Sequence, residues 1–187
     1  MSMVSTNEFR KRMKLLIDGQ PWVIIDNEFV KPGKGQAFNR VRMKNLITGR
    51  AVERTYKSGE SVEEAEVTVS QMEFLYHDAD HYTFMNNQSY EQVEVTKEAV
   101  GDAAQWLKDN TPCEISMWNS QVISVTPPVF MDLKVTYTEP AVKGDTANNV
   151  TKKATLETGA IIDVPLFIQE GTKLRIDTRT GEYTQRV

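Results

Sequence analysis

Apolar and polar positions alternate with a period of two along most of this chain. Between Ala37 and Leu46, Arg40, Arg42 and Lys44 fall at every second position, with Val41 and Met43 between them. In a strand this spacing puts the cations on one face and the apolar side chains on the other. Cys113, Ile115 and Met117 alternate in the same way within Cys113–Trp118. Further strand-like runs are Lys14–Ile17, Trp22–Ile25, Ala51–Tyr56, Val67–Tyr76, Tyr82–Met85, Val122–Val125, Val129–Tyr137, Lys153–Leu156, Leu174–Asp177 and Tyr183–Arg186. Asp18-Gly19, Thr48-Gly49, Asp78–Asp80 and Thr180-Gly181 separate them with turn-forming residues. Ile161–Ile168 reads as a buried strand interrupted by Pro165, which implies a sheet edge or a bulge.

One stretch departs from this rhythm. In Val95–Lys108, Ala99, Ala103, Trp106 and Leu107 recur at spacings of three and four, which predicts a helix. Thr96 stands where an N-cap belongs, and Glu98 and Asp102 lie near the positive end of the helix dipole.

Two breaks divide the chain. The acidic run Glu60–Glu66 and the rigid Thr126-Pro127-Pro128 predict modules at 1–65, 66–128 and 129–187. The first, with several short strands in so few residues, suggests a small closed barrel. The other two have similar lengths and strand rhythms and fit five-stranded Greek-key barrels of the oligonucleotide-binding type. The expected class is all-β, with three small barrels and one short helix in the second.

Charge sharpens this division. The chain has 187 residues and a net charge of −4. Residues 1–65 carry +4 (12 Lys and Arg against 8 Asp and Glu), residues 66–130 carry −8 (2 against 10), and residues 131–187 carry zero (8 against 8). The basic first third is the part suited to phosphate, and the acidic middle to a protein or another basic neighbour. The single cysteine, Cys113, rules out an intrachain disulfide and points to the cytoplasm. No apolar run approaches the ~20 residues of a membrane helix.

Candidate chemistry gathers around Lys31-Pro32-Gly33-Lys34-Gly35, between two strand-like runs. Proline lacks an N–H and glycine admits unusual backbone angles, so this is a hairpin tip with Lys34 at its apex. By itself it reads first as an ordinary solvated turn, and second as a lysine held out to reach a partner or be modified. It is not a phosphate loop of the Walker type, because the spacing differs and no helix follows. Arg40, Arg42 and Lys44, with Arg10, Lys11, Arg12 and Lys14 nearby in sequence, form either a ridge for an RNA backbone or a solvated barrel exterior. His77-Asp78-Ala79-Asp80-His81 has no zinc spacing and reads as a turn. Cys113, on the apolar face of its strand, reads as a buried structural thiol. Gly144-Asp145-Thr146 reads as a turn between strands.

Taken in order, several segments resemble the bacterial elongation factor P family over essentially the whole chain. They are Glu28-Phe29-Val30-Lys31-Pro32-Gly33-Lys34-Gly35-Gln36-Ala37-Phe38, Phe84-Met85-Asn86-Asn87, Ile123-Ser124-Val125-Thr126-Pro127-Pro128 and Lys143-Gly144-Asp145-Thr146-Ala147. A signature follows in Lys152-x-Ala154, Gly159, Ile162, Val164-Pro165, Ile168 and Gly171. The resemblance implies an L-shaped protein: an SH3-like (KOW-like) barrel followed by two oligonucleotide-binding barrels. It implies a cytoplasmic translation factor, neither enzyme nor cofactor-dependent, that binds the ribosome as a monomer between the peptidyl-tRNA and exit sites and relieves stalling at consecutive prolines. On that reading Lys34 reaches toward the CCA end of the peptidyl-tRNA, extended by modifying enzymes with a β-lysyl-type group and hydroxylated. Lys31, Pro32, Gly33, Gly35, Arg40, Arg42 and Lys44 would contact tRNA or rRNA, and Gly144, Asp145 and Thr146 exit-site mRNA. The chain departs from many relatives at Asn148-Asn149-Val150, where they carry a glycine-rich stretch. A divergent paralogue and a general single-strand nucleic-acid binder are the competing readings; the −8 charge of residues 66–130 opposes the second.

Overall fold

The computed structural model of the chain describes residues 1–141 and 150–187. Three sheets make up the described fold, and the expected all-β class holds, with one short α-helix among the described residues.

The first sheet contains β1 (Met3–Ser5), β2 (Lys14–Ile17), β3 (Gln20–Val30), β4 (Phe38–Asn45), β5 (Ala51–Lys57) and β6 (Ser61–Glu64), in the order β1-β6-β2-β3-β4-β5. Asp18 and Gly19 join β2 to β3 with φ of 52° and 72°, and Ile17 pairs with Gln20. Two left-handed residues in a two-residue turn match the strand twist, which is why Asp-Gly is favoured here. At the far end of β4, Asn45 stops the ladder: its Oδ1 accepts from the amides of Ile47 (2.8 Å) and Thr48 (2.9 Å). Leu15, Ile24, Val41 and Met43 are almost completely buried at the centre of this sheet's core. The acidic Glu60–Glu66 run, expected to be only a boundary, contains strand β6, which pairs with both β1 and β2. A strand edge must satisfy its backbone groups whatever its outward side chains are, so polarity alone does not exclude pairing.

The second sheet contains β7 (Val67–His77), β8 (His81–Met85), β9 (Gln92–Thr96), β10 (Pro112–Trp118) and β11 (Gln121–Thr126), in the order β11-β10-β7-β8-β9. The helix predicted over Val95–Lys108 is shorter than expected. Val95 and Thr96 end β9, α1 covers only Lys97–Val100, and a 3₁₀ turn follows over Gly101–Trp106. Thr96 does cap it, its Oγ1 accepting from the Ala99 amide at 3.3 Å. Gly101, at φ 58° and ψ −138°, ends the α-helix in a conformation other residues rarely adopt. The buried positions Val100, Ala103 and Trp106 are spaced by three, the period of a 3₁₀ helix.

The third sheet contains β12 (Phe130–Thr138), β13 (Thr151–Leu156), β14 (Ile161–Pro165), β15 (Lys173–Asp177) and β16 (Glu182–Arg186), in the order β14-β13-β12-β15-β16. The strand expected to run to Ile168 stops at Pro165, on an edge strand where a missing N–H breaks no ladder. Leu133, Leu156, Val164, Ile168, Leu174 and Ile176 fill the core of this sheet, and Trp106 joins them.

By proximity the chain forms two compact units. One comprises residues 1–69 and 116–124, the other residues 70–115 and 125–187.

Candidate functional site

Strands β3 and β4 form a long hairpin whose pairing continues to Val30 opposite Phe38. Residues 31–37 close it, and Lys31, Gly33, Lys34 and Gly35 are exposed while Pro32 is half-buried. Of the two glycines flanking Lys34, Gly35 has φ of 111° and Gly33 does not occupy the left-handed half of the map. Gly35 also faces the Pro32 ring, whose Cγ would lie 3.8 Å from an added Cβ. The loop thus needs glycine at position 35 for its turn, and proline at position 32 restricts the approach to it.

Arg40, Arg42 and Lys44 are exposed on one face of β4, with Asn39, Val41, Met43 and Asn45 buried on the other. That face is less basic than the sequence suggests. A bulge in β3 between Ile24 and Asp26 shifts the register by one residue, so that Asp26 stands opposite Arg42 and Glu28 opposite Arg40. From β5, Glu53 also stands opposite Arg42. Arg40 is held by both Glu28 (Nη1–Oε2 3.4 Å) and Glu53 (Nε–Oε1 3.7 Å). Lys11 comes within 3.1 Å of Asp26, and this hydrogen bond, more than any other neighbour, holds the Asp26 carboxyl below its ordinary range. Among the described residues no carboxylate lies within ion-pair distance of Lys31, Lys34, Arg42 or Lys44. The tip and the lower ridge therefore hold the cations available to an anionic partner.

Sequence reasoning missed these counter-charges and the amides beneath them. Asn27 and Asn39 are hydrogen-bonded side chain to side chain at 3.1 Å. Only the β3 bulge, which no residue type announces, places them together.

The other candidates take structural roles. Asp78 Oδ1 accepts from the amides of Asp80 and His81, both at 2.8 Å, which builds the turn between β7 and β8 and lowers the Asp78 pKa. His77 stacks on Tyr82 at 4.9 Å. Cys113 is 1% exposed, and burial pushes its thiol up to about 12. At that value essentially no thiolate exists at neutral pH. Gly144, Asp145 and Thr146 lie outside the described residues.

Three family models match in chain order. The elongation factor P KOW-like domain covers residues 5–62, the elongation factor P OB domain residues 67–125, and the elongation factor P C-terminal domain residues 131–186. The chain belongs to the elongation factor P family. As a member it is a translation elongation factor, and the Lys34 hairpin lies inside the KOW-like match. Among solved structures, eukaryotic translation initiation factor 5A from Methanococcus jannaschii is similar, with a TM-score of 0.58 and 23% identity over 67% of this chain and 92% of that one. A translation initiation factor eif-5a family protein from Naegleria fowleri is similar with a TM-score of 0.52 and 13% identity, over 67% of this chain and 97% of that one. At these identities the likeness is one of fold. No helix among the described residues of this elongation factor P family member is long and apolar enough to cross a membrane.

Proposed function

We propose that this elongation factor P family member binds the cytoplasmic ribosome as a monomer between the peptidyl-tRNA and exit sites. It stimulates peptide-bond formation at consecutive prolines by positioning the CCA end of the peptidyl-tRNA with Lys34. The observation that carries this is the Lys34 hairpin: a stem paired up to Val30 and Phe38, tipped by an exposed lysine with no carboxylate partner among the described residues.

The proposed action needs no acid, base or nucleophile of its own. Proline is a poor reactant because its ring restricts approach, and holding two reactants in register lowers the entropic part of the barrier. A lysine suits this role. Its ammonium is a compact charge on a flexible stem, and modifying enzymes can acylate its amine to lengthen it with a β-lysyl-type group. Arg42 and Lys44, with the loop residues Lys31 to Gly35, contact tRNA or rRNA backbone, and Arg40 joins them by exchanging its carboxylates for phosphate. In this reading the functional modules are 1–65, 66–128 and 129–187, and the Gly144-Asp145-Thr146 loop faces exit-site mRNA.

The test is synthesis through a proline run on purified ribosomes, comparing modified native protein with Lys34→Ala and Arg42→Ala. Lys34→Ala should lose the stimulation while still binding ribosomes, and Arg42→Ala should bind more weakly. Full stimulation by Lys34→Ala would end this reading.

A further inference from the structure

We infer that Asn39, acting through Asn27, is a positioning residue that holds the Lys34 hairpin in one direction relative to its barrel; its role in synthesis rests on the function proposed above. The hairpin stem extends beyond the barrel core, since inward-facing Phe29 near its end is 55% exposed. Something must therefore fix its angle at the mouth of the barrel.

Asn39 is the first fully buried side chain after the loop, at 2% exposure. Its Nδ2 donates to Asn27 Oδ1 at 3.1 Å, and Asn27 Nδ2 donates in turn to the Phe9 carbonyl at 3.0 Å. Both hairpin strands are thus tied, one through the other, to the segment just after the 3₁₀ turn Thr6–Glu8. That turn is itself anchored. Thr6 Oγ1 donates to the Lys57 carbonyl at 3.0 Å and accepts from the Gly59 amide at 3.0 Å, and Phe9 packs edge-on against Tyr56 at 5.7 Å. The relay runs from the hairpin to the β5–β6 connection without leaving the barrel mouth.

Packing alone does not ask for an amide here. The next inward positions of β4 are Val41 and Met43. Asn39 Oδ1 and the hydroxyl of Tyr56, which stands opposite Asn39 in β5, have no hydrogen-bond partner among the described residues. A buried acceptor left unpaired costs stability, and an apolar side chain of similar size avoids that cost. Directional hydrogen bonds fix an angle in a way that apolar contact does not.

The test uses paired spin labels at Lys34→Cys and Arg50→Cys, at opposite ends of β4, with buried Cys113 left in place. Asn39→Val should broaden the label distance distribution without lowering Tm. Asn27→Val should broaden it equally, and the double variant should be no broader than either single one. An unchanged width, or broadening that adds in the double variant, would overturn the inference. Asn39→Ser, too short to reach Asn27, decides the matter if the valine variant does not fold. With Lys34 intact and modified, Asn39→Val should slow synthesis through a proline run about 10-fold at unchanged ribosome affinity. If Lys34→Ala abolishes stimulation and Asn39→Val leaves the rate of synthesis unchanged, the positioning role fails. If Lys34→Ala leaves stimulation intact, the proposed function fails, and the label widths still decide whether Asn39 holds the hairpin.

Discussion

Trp106 packs its six-membered ring against Gly181: a Cβ added at Gly181 would lie 3.6 Å from Cζ2 and 3.7 Å from Cη2. Trp106 comes from the 3₁₀ turn that follows α1, yet its buried neighbours are those of the C-terminal sheet, Leu133, Ile162 and Ile176 among them. Lys108 reinforces this junction, donating to the Asp132 carbonyl at 2.9 Å. Trp106→Ala should therefore destabilise by about 3–5 kcal/mol, the range for emptying a large aromatic site. Gly181→Ala has ordinary contact distance to the ring but φ of 75°, so its cost should come from backbone strain, ~1–2 kcal/mol. Denaturant midpoints followed by circular dichroism measure both. A loss under 1 kcal/mol for Trp106→Ala would mean that the indole is not a shared core residue.

The two glycines around Lys34 should behave differently. Gly33→Ala meets no neighbour within 4 Å and no left-handed φ, so it should leave stability unchanged or slightly raised. Gly35→Ala must hold φ of 111°, at a cost of roughly 1–3 kcal/mol, or let the loop rearrange. Thermal melts together with proline-run synthesis separate the two variants: equal behaviour in both assays would contradict the loop geometry.

Much of this architecture is legible in the sequence. The Asp18-Gly19 turn, the alternation in β4 and the Thr96 cap each follow from a residue type with one dominant geometry. The helix length was not legible, because spacings of three and four are shared by α and 3₁₀ turns and only Gly101 decides where one becomes the other. Strand β6 is hidden because two of its four residues, Glu63 and Glu64, are acidic, although its backbone pairs normally. The charge on the Lys34 face was misjudged for one reason. A single extra residue at Ile25 exchanges the two faces of β3, turning Asn27 inward and setting Asp26 and Glu28 beside the arginines.

Acid should weaken the C-terminal barrel through Asp132. Arg175 grips this carboxylate with two bonds, Nε–Oδ1 at 2.8 Å and Nη2–Oδ2 at 3.0 Å, across paired positions of β12 and β15. That hydrogen bonding is the first cause holding the Asp132 pKa below its ordinary value. A folded-state pKa below the unfolded one contributes stability above the unfolded value, about 3.9, and loses it as pH falls through the folded value. Asp132→Asn should therefore be less stable than wild type at neutral pH, with the gap closing below about pH 4. Denaturant titrations across that range provide the measurement, and a gap independent of pH would remove the ion pair as its source.

Cys113 should resist thiol reagents in the folded protein. Its Sγ is buried and donates to the Thr111 carbonyl at 3.6 Å, and its pKa is pushed up to about 12 by desolvation. Labelling should begin only when denaturant opens the barrel, and Cys113→Ala should retain full translation activity. Fast native labelling, or loss of activity in Cys113→Ala with the fold intact, would reopen a chemical role for the thiol.

The basic face makes the sharpest electrostatic prediction, because its cations differ in how they are already engaged. Arg40 is shared between Glu28 and Glu53, whereas Arg42 and Lys44 have no carboxylate in ion-pair range among the described residues. Exposed pairs of this kind contribute only ~0–1 kcal/mol, so a phosphate can displace them, but Arg40 then gains less than a free cation does. Arg42→Ala should weaken ribosome binding more than Arg40→Ala. Each lost phosphate contact should also reduce the slope of log affinity against log salt by about 1. Glu53→Gln should do the opposite, releasing Arg40 and removing the acid opposite Arg42, so that binding tightens and becomes more salt-sensitive. Affinities measured over a potassium series test all three variants at once. Weaker binding by Glu53→Gln would mean that the ridge is held in shape by its carboxylates and does not meet RNA as a bare row of cations.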